Sequence, residues 1–114
     1  MRRGEVWLIN LDPTVGAEIR KTRPAVIVSD DAIGVLPLKV IVPVTEWNDA
    51  FTVAPWMVEL TPDAANGLNK RSAADGFQVR SVAQQRFVRR IGALSDSSMR
   101  EITKALAIVL AIEP

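Results

Sequence analysis

The 114-residue chain contains no histidine and no cysteine. Without imidazole, the side chain that ordinarily moves protons near neutral pH is missing, so Ser–His–Asp triads, Cys–His dyads, histidine-based ribonuclease chemistry and the usual zinc-hydrolase sites are all excluded. Without thiols there is neither a disulfide framework nor a thiolate nucleophile, which fits a reducing compartment and makes the cytoplasm the expected location. Glycine-rich phosphate loops are missing too, since the six glycines form neither G-x-G-x-x-G nor a P-loop pattern. Asp30-Asp31 is the one adjacent carboxylate pair, and its plain reading is a solvated turn, so no metal or nucleotide cofactor is expected. The longest apolar stretch, Ala105 to Ile112, falls well short of the ~20 residues a spanning helix needs, and the N-terminal Met1-Arg2-Arg3-Gly4-Glu5 leads into no export signal. No membrane association is expected.

What is present is ordinary for a folded chain. The apolar fraction is 48% and the charged fraction 24%, and the length suits one folding unit over residues 1–114. A net charge of +1 says little about partners by itself.

Short β-rich runs dominate. Glu5 to Asn10 reads as a first strand ending at Asp12-Pro13, Ala25 to Val28 as a second, and Lys39 to Thr45 as a third, after a break at Asp30-Asp31 and Gly34. Pro43 lies inside the third strand and forfeits a ladder donor, so that strand should be an edge or carry a bulge. Trp56 to Leu60, Phe77 to Val82 and Phe87 to Ile91 are further strand candidates, separated by turn groups such as Thr61-Pro62-Asp63 and Asn66-Gly67. From Ser98 to Ile112 the period changes: Met99, Ile102, Leu106, Val109 and Leu110 recur at helical spacing behind a Ser-Asp-Ser-Ser cluster. Strands first and a helix last indicate a mainly β, α+β fold, a compact barrel or sheet with helical additions.

With imidazole, thiol and metal set aside, arginine, lysine, carboxylates and hydroxyls remain. Gly16-Ala17-Glu18 and Lys21-Thr22-Arg23-Pro24 form a loop that ends on an arginine held extended by the following proline. A guanidinium is permanently charged and can grip two phosphate oxygens at once. Thr45 follows the proline interruption, where a strand end can expose its hydroxyl to the same phosphate.

Arg3-Gly4-Glu5-Val6-Trp7, Gly16-Ala17-Glu18, Lys21-Thr22-Arg23-Pro24-Ala25-Val26 and Pro43-Val44-Thr45 resemble, in order and spacing, the pattern of the MazF/PemK toxins. Gly67-Leu68 with Ser72, then Gln78-Val79-Arg80-Ser81, Ile91-Gly92-Ala93-Leu94-Ser95 and the terminal helix are similar to that family's second half, so the resemblance runs nearly end to end. It implies an SH3-like β-barrel of the MazF/PemK/CcdB type with a C-terminal helix, a homodimer, and sequence-specific, metal-independent cleavage of single-stranded mRNA by the toxin half of a toxin–antitoxin pair. By the same resemblance Arg23 and Thr45 take catalytic positions, and Glu18 a loop position of catalysis or substrate contact. Attack by the RNA 2′-hydroxyl would leave a 2′,3′-cyclic phosphate and a 5′-hydroxyl; because arginine stays protonated, Glu18 is the better candidate if a general base is needed. Lys21, Thr22, Gln78, Arg80 and Trp47 are the candidate RNA-binding residues, and an acidic antitoxin segment pairing with Arg20, Lys21 and Arg23 is the implied protein partner.

Two residues depart from the family pattern: Phe77 precedes Gln78 where an acid is common, and Ala17 stands where serine is common. Plain alternatives accompany each assignment: a surface ion pair for Arg23, an ordinary strand position for Thr45, solvation for Glu18. Trp7 and Trp56 read as core, and Arg80, Arg86, Arg89 and Arg90 as the solvated face of two strands rather than an RNA groove. Two other functions share the fold. A CcdB-like gyrase poison ends in Trp-Gly-Ile, whereas this chain finishes Ala111-Ile112-Glu113-Pro114. A non-catalytic SH3-like adaptor would not need Arg23, Thr45 and Glu18 near one another.

Overall fold

A computed structural model describes residues 1–33 and 36–113; Gly34 and Pro114, both named above, lie outside them. Among the described residues seven antiparallel strands, β1 (Glu5–Asn10), β2 (Thr22–Ile27), β3 (Leu38–Glu46), β4 (Met57–Leu60), β5 (Ser72–Asp75), β6 (Arg80–Ala83) and β7 (Phe87–Ala93), precede one α-helix, α1 (Asp96–Val109). The sheet order is β4-β5-β3-β2-β1-β7, with β6 also paired to β3.

Apolar residues run consecutively through β2 because both faces of the sheet are covered. One cluster joins Val6, Val26, Val42, Val44, Leu60 and Ala74 to Met99 and Ile102 of α1. On the opposite face Ile9, Ala25, Ile27, Ile41 and Val82 pack with Leu11, and Trp7, Ile19 and Phe87 close over them. The loop between β1 and β2 is thereby pinned to the sheet at both of its ends, through Leu11 and Ile19.

The α+β class is as expected, but among the described residues no ladder joins the ends of the strand path, so the sheet is not closed into a barrel. The 61–71 loop spans the opening. Ala93 N donates to Ala65 O at 2.9 Å, and Gly67, at φ +70°, approaches β7 so closely that a Cβ would stand 1.9 Å from Ile91 O. Buried Asn66 knits the loop internally: its Oδ1 accepts from Leu68 N at 3.0 Å and its Nδ2 donates to Thr61 O at 2.9 Å.

Several local expectations need correction. β3 is neither an edge nor bulged at Pro43; it is the most connected strand, pairing with β2, β5 and β6. On one side of it β6 reaches only Ile41 and β5 begins at Val44, so the proline falls where no ladder bond is due. β5, Ser-Ala-Ala-Asp, carries no β-branched residue and escapes a propensity reading, yet all four residues are buried. The Phe77 to Val82 segment divides into a 3₁₀ turn over Gly76–Gln78 and then β6. The helix is capped by Ser95, whose Oγ accepts from Ser98 N at 3.2 Å, and its buried side chains are Met99, Ile102 and Ala105, whereas Leu110 is exposed.

Candidate active site

β2 and β3 stay paired from Ile27↔Ile41 to Ala25↔Pro43; beyond that pair β3 turns to β5, matching Val44 with Ala74 and Thr45 with Ala73. The two strands fork, and the fork opens a cleft of about 350 Å³ between Thr22-Arg23-Pro24 on one side and Val44-Thr45-Glu46 on the other. Continuing the ladder register two residues past its last pair sets Arg23 opposite Thr45. Both line the cleft, and both are partly buried. The 61–71 loop supplies another wall through Asn69 and Lys70, and Arg89 of β7 completes it.

Arg23 is positioned by its own backbone. Residues 22 and 23 are paired to Asn10 and Ile9 of β1, Pro24 holds the chain extended, and Nε donates to Arg20 O at 3.2 Å. That bond occupies the inner edge of the guanidinium and leaves the terminal amino groups as donors. Among the described residues no carboxylate pairs with Arg23, so the surface ion-pair reading finds no partner. Three cations (Arg23, Lys70, Arg89) face one carboxylate, Glu46, which sits 3.6 Å from Lys70 Nζ. A cleft with that excess of fixed positive charge, lined by both a guanidinium and a hydroxyl, suits a phosphodiester chain.

Glu18 is not in this cleft. It lines a neighbouring one of about 470 Å³ with Ala17, Ile19, Pro43, Phe77, Gln78, Val79 and Arg80, and its Oε1 accepts from Val15 N at 2.7 Å. Gln78 is committed to the protein as a latch on that loop: its Oε1 accepts from Ile19 N at 2.6 Å and its Nε2 donates to Ala17 O at 3.2 Å. Arg80 donates from Nη1 to Leu11 O at 3.2 Å, at the loop's other end. Beneath them Asp75, 5% exposed, accepts from Phe77 N at 3.0 Å; burial pushes its carboxyl above the ordinary range, against hydrogen bonds from Phe77 and Gln78 that favour the charged form.

Of the remaining expected residues, Thr22 lines the first cleft, and Lys21 is exposed on the ridge between the two, in the left-handed region at φ +71°. Trp47 lines neither cleft. Arg71 stacks 4.9 Å over its ring and its Nε1 donates to Asp49 at 3.1 Å, so the indole is engaged within the protein. The four arginines between residues 80 and 90 do not act together: Arg80 and Arg86 hold carbonyls of the 10–12 segment, Arg90 pairs with Glu5 at 3.3 Å, and only Arg89 enters the cleft with Arg23. Arg89, Lys70, Asn69 and Glu46 escaped sequence reasoning as site residues. For Lys70 and Asn69 the Asn66-Gly67 turn was the available signal; for Arg89 nothing local distinguishes it from Arg90. Trp7, half-buried, meets Phe87 edge-on with ring centroids 5.5 Å apart, as a packing residue should.

Among the described residues no group of three or more carboxylates, histidines or cysteines is placed to hold a metal ion, and no helix is long and apolar enough to cross a membrane.

The chain is 35% identical to endoribonuclease MazF9 of Mycobacterium tuberculosis, with 96% of each chain covered. It is 33% identical to endoribonuclease PemK of Escherichia coli, covering 96% of this chain and 82% of that one. In fold it is similar to MazF from Deinococcus radiodurans (TM-score 0.80, 23% identity, 98% and 97% covered). It is equally similar to an endoribonuclease from a mycobacterial species in complex with its cognate antitoxin (TM-score 0.80, 20% identity, 100% and 98% covered). Residues 2–110 match the family described as PemK-like, MazF-like toxin of type II toxin-antitoxin system, and the chain belongs to that family.

Proposed function

We propose that this protein is the endoribonuclease toxin of a toxin–antitoxin pair, cutting single-stranded mRNA in the cytoplasm at short sequences and without a metal ion. What supports it is that Arg23 and Thr45 line the two sides of the fork between β2 and β3, in a cleft also lined by Lys70 and Arg89. The RNA 2′-hydroxyl attacks the adjacent phosphorus, the bond to the 5′-oxygen of the next nucleotide breaks, and a 2′,3′-cyclic phosphate and a 5′-hydroxyl result. Arg23 and Thr45 donate to the non-bridging oxygens as negative charge builds on them, a contribution that grows from ground state to transition state and therefore raises the rate. DNA, lacking the nucleophile, is spared.

Glu18 is the proposed acceptor of the 2′-hydroxyl proton. It stands five residues before Arg23 on the same segment and lines the cleft next to the one that holds Arg23. A second assignment rests on one observation: Glu46 is the carboxylate already lining the cleft. The protein acts as a homodimer and is held inactive by an acidic antitoxin segment laid across Arg20, Lys21 and Arg23. The related mycobacterial endoribonuclease was solved in complex with its antitoxin.

The test is digestion of a long RNA in EDTA. The wild-type protein cuts; Arg23→Ala cuts roughly 10²–10³-fold more slowly, as removal of one charge-stabilising donor does elsewhere; Thr45→Val, nearly isosteric, is also slowed while staying folded. Near-normal cleavage by Arg23→Ala excludes this mechanism.

A further inference from the structure

The cleft that holds Glu18 has a composition the chemistry at Arg23 does not require. Phe77 at its rim is 65% exposed and touches Trp56 edge-on, with ring centroids 5.7 Å apart. Single exposed apolar residues are common on protein surfaces, but this one borders a hollow of about 470 Å³ whose other walls are Ile19, Val79, a carboxylate, an amide and a guanidinium. Those walls are fixed. Gln78 holds the 17–19 segment through two hydrogen bonds and Arg80 is tied to Leu11 O, so the hollow is preformed and ample for one flat heterocycle. Its distance from the first cleft is also set by the backbone. Pro43 lines one cleft and Thr45 the other, two residues or about 7 Å apart along β3, which is on the order of one step of an extended single strand.

We propose that the Phe77 cleft is a nucleobase subsite: it takes an unpaired base next to the scissile phosphate, stacked on Phe77, and fixes the preferred sequence at one position beside the cut. The inference rests on the endoribonuclease reading above. The RNA backbone crosses the ridge at Arg20 and Lys21, whose exposed cations suit it, while the neutral base turns into the hollow. An acidic peptide fits this hollow less well, because it would meet the Glu18 carboxylate and a ring rather than a set of cations.

The experiment has two arms: anisotropy titration with a pool of short, random-sequence, fully 2′-O-methylated RNA that cannot be cut, and mapping of cut sites on a long RNA. Phe77→Ala is expected to weaken binding roughly 5- to 150-fold, the range for loss of one stacked base, and to relax the sequence at one flanking position while cleavage at saturating RNA persists. Phe77→Trp keeps affinity within a few-fold. Phe77→Leu, which preserves volume without a π-face, behaves like alanine and separates stacking from misfolding. Binding within twofold of wild type together with an unchanged cut sequence overturns the subsite, as does unchanged RNA binding with lost affinity for an acidic peptide, which assigns the hollow to a protein partner. Wild-type protein that binds RNA in a Phe77-dependent way but does not cut it fails the nuclease reading and leaves the subsite standing; protein that neither binds nor cuts fails both.

Discussion

Replacing Gly67 by alanine tests whether the loop that walls the cleft is held by close approach of backbone to backbone. At φ +70° a Cβ on this residue would stand 1.9 Å from Ile91 O, against 3.4 Å for the onset of ordinary contact, so something must retreat by about 1.5 Å. The obstacle is the main chain of β7, and no change of rotamer relieves it. The left-handed conformation alone costs a non-glycine residue about 1–2 kcal/mol, and forcing an extra carbon into packed structure adds about 1–3 kcal/mol. Gly16 is the internal control: its φ is +59° but no atom lies within 4 Å of where its Cβ would be, so Gly16→Ala carries only the conformational part. Urea denaturation followed by tryptophan fluorescence should therefore show a loss of about 1–2 kcal/mol for Gly16→Ala and roughly 2–5 kcal/mol for Gly67→Ala, a large share of a typical stability of 5–15 kcal/mol. RNA cleavage should fall in folded Gly67→Ala as well, because Asn69 and Lys70 move with the loop. Equal stability losses in the two variants would refute the argument.

The choice of proton acceptor separates in kinetics: the glutamine variant of the true base loses roughly 10²–10⁴-fold in kcat, so Glu18→Gln is expected to lose kcat and Glu46→Gln to change chiefly KM, and the reverse pattern moves the base into the cleft. Gln78→Ala frees Ala17 and Ile19; amide hydrogen exchange at Ile19 should rise and RNA affinity fall, and an Ile19 amide as protected as before would show that the latch is not what holds the loop. Asp75 is raised above its ordinary value of 3.8 by burial, so its contribution to stability is complete below 3.8 and is lost as pH climbs through the raised value. The difference in stability between Asp75→Asn and wild type should therefore move in the variant's favour across that window, as read by denaturation at a series of pH values, and a difference that does not change with pH would remove Asp75 from the account.

Much of the fold is legible because hydrophobic pattern and turn chemistry agree along the chain. β1, with Val6 and Ile9 buried and Asp12-Pro13 after it, and α1, with Met99 and Ile102 buried behind a serine cap, follow from spacing alone. β5 fails the same test for a physical reason. Its four residues lie buried between β3 and β4, Ala74 packs in the cluster that holds Met99 and Ile102 of α1, and Gly76 after them would bring a Cβ within 3.4 Å of the Ala105 Cβ, so here close approach of elements, not strand propensity, selects the residues. The cleft walls from the 61–71 loop and β7 are illegible for a related reason. Lys70 and Arg89 are brought together by Gly67 resting on Ile91 and by the Ala93–Ala65 hydrogen bond, contacts between segments that no local window contains.

Pro43 shows how a residue misread locally can still mark the site. A proline in a strand means one missing donor, and the local inference is that the strand has a free edge there. In the folded chain the missing donor faces the break between β6, which ends its pairing at Ile41, and β5, which begins at Val44, while on its other side β3 parts from β2 after the Ala25↔Pro43 pair. The strand changes both neighbours within three residues. A strand that changes partners must leave a fork, and the residues flanking the fork, Arg23 on β2 and Thr45 on β3, face a space that no ladder fills. With imidazole and thiol absent from the chain, those two donors, with Lys70 and Arg89 in the same cleft, are the groups the proposed reaction would use to stabilise a developing charge. The proline that breaks the ladder and the pair that lines the opening are thus consequences of one topological event.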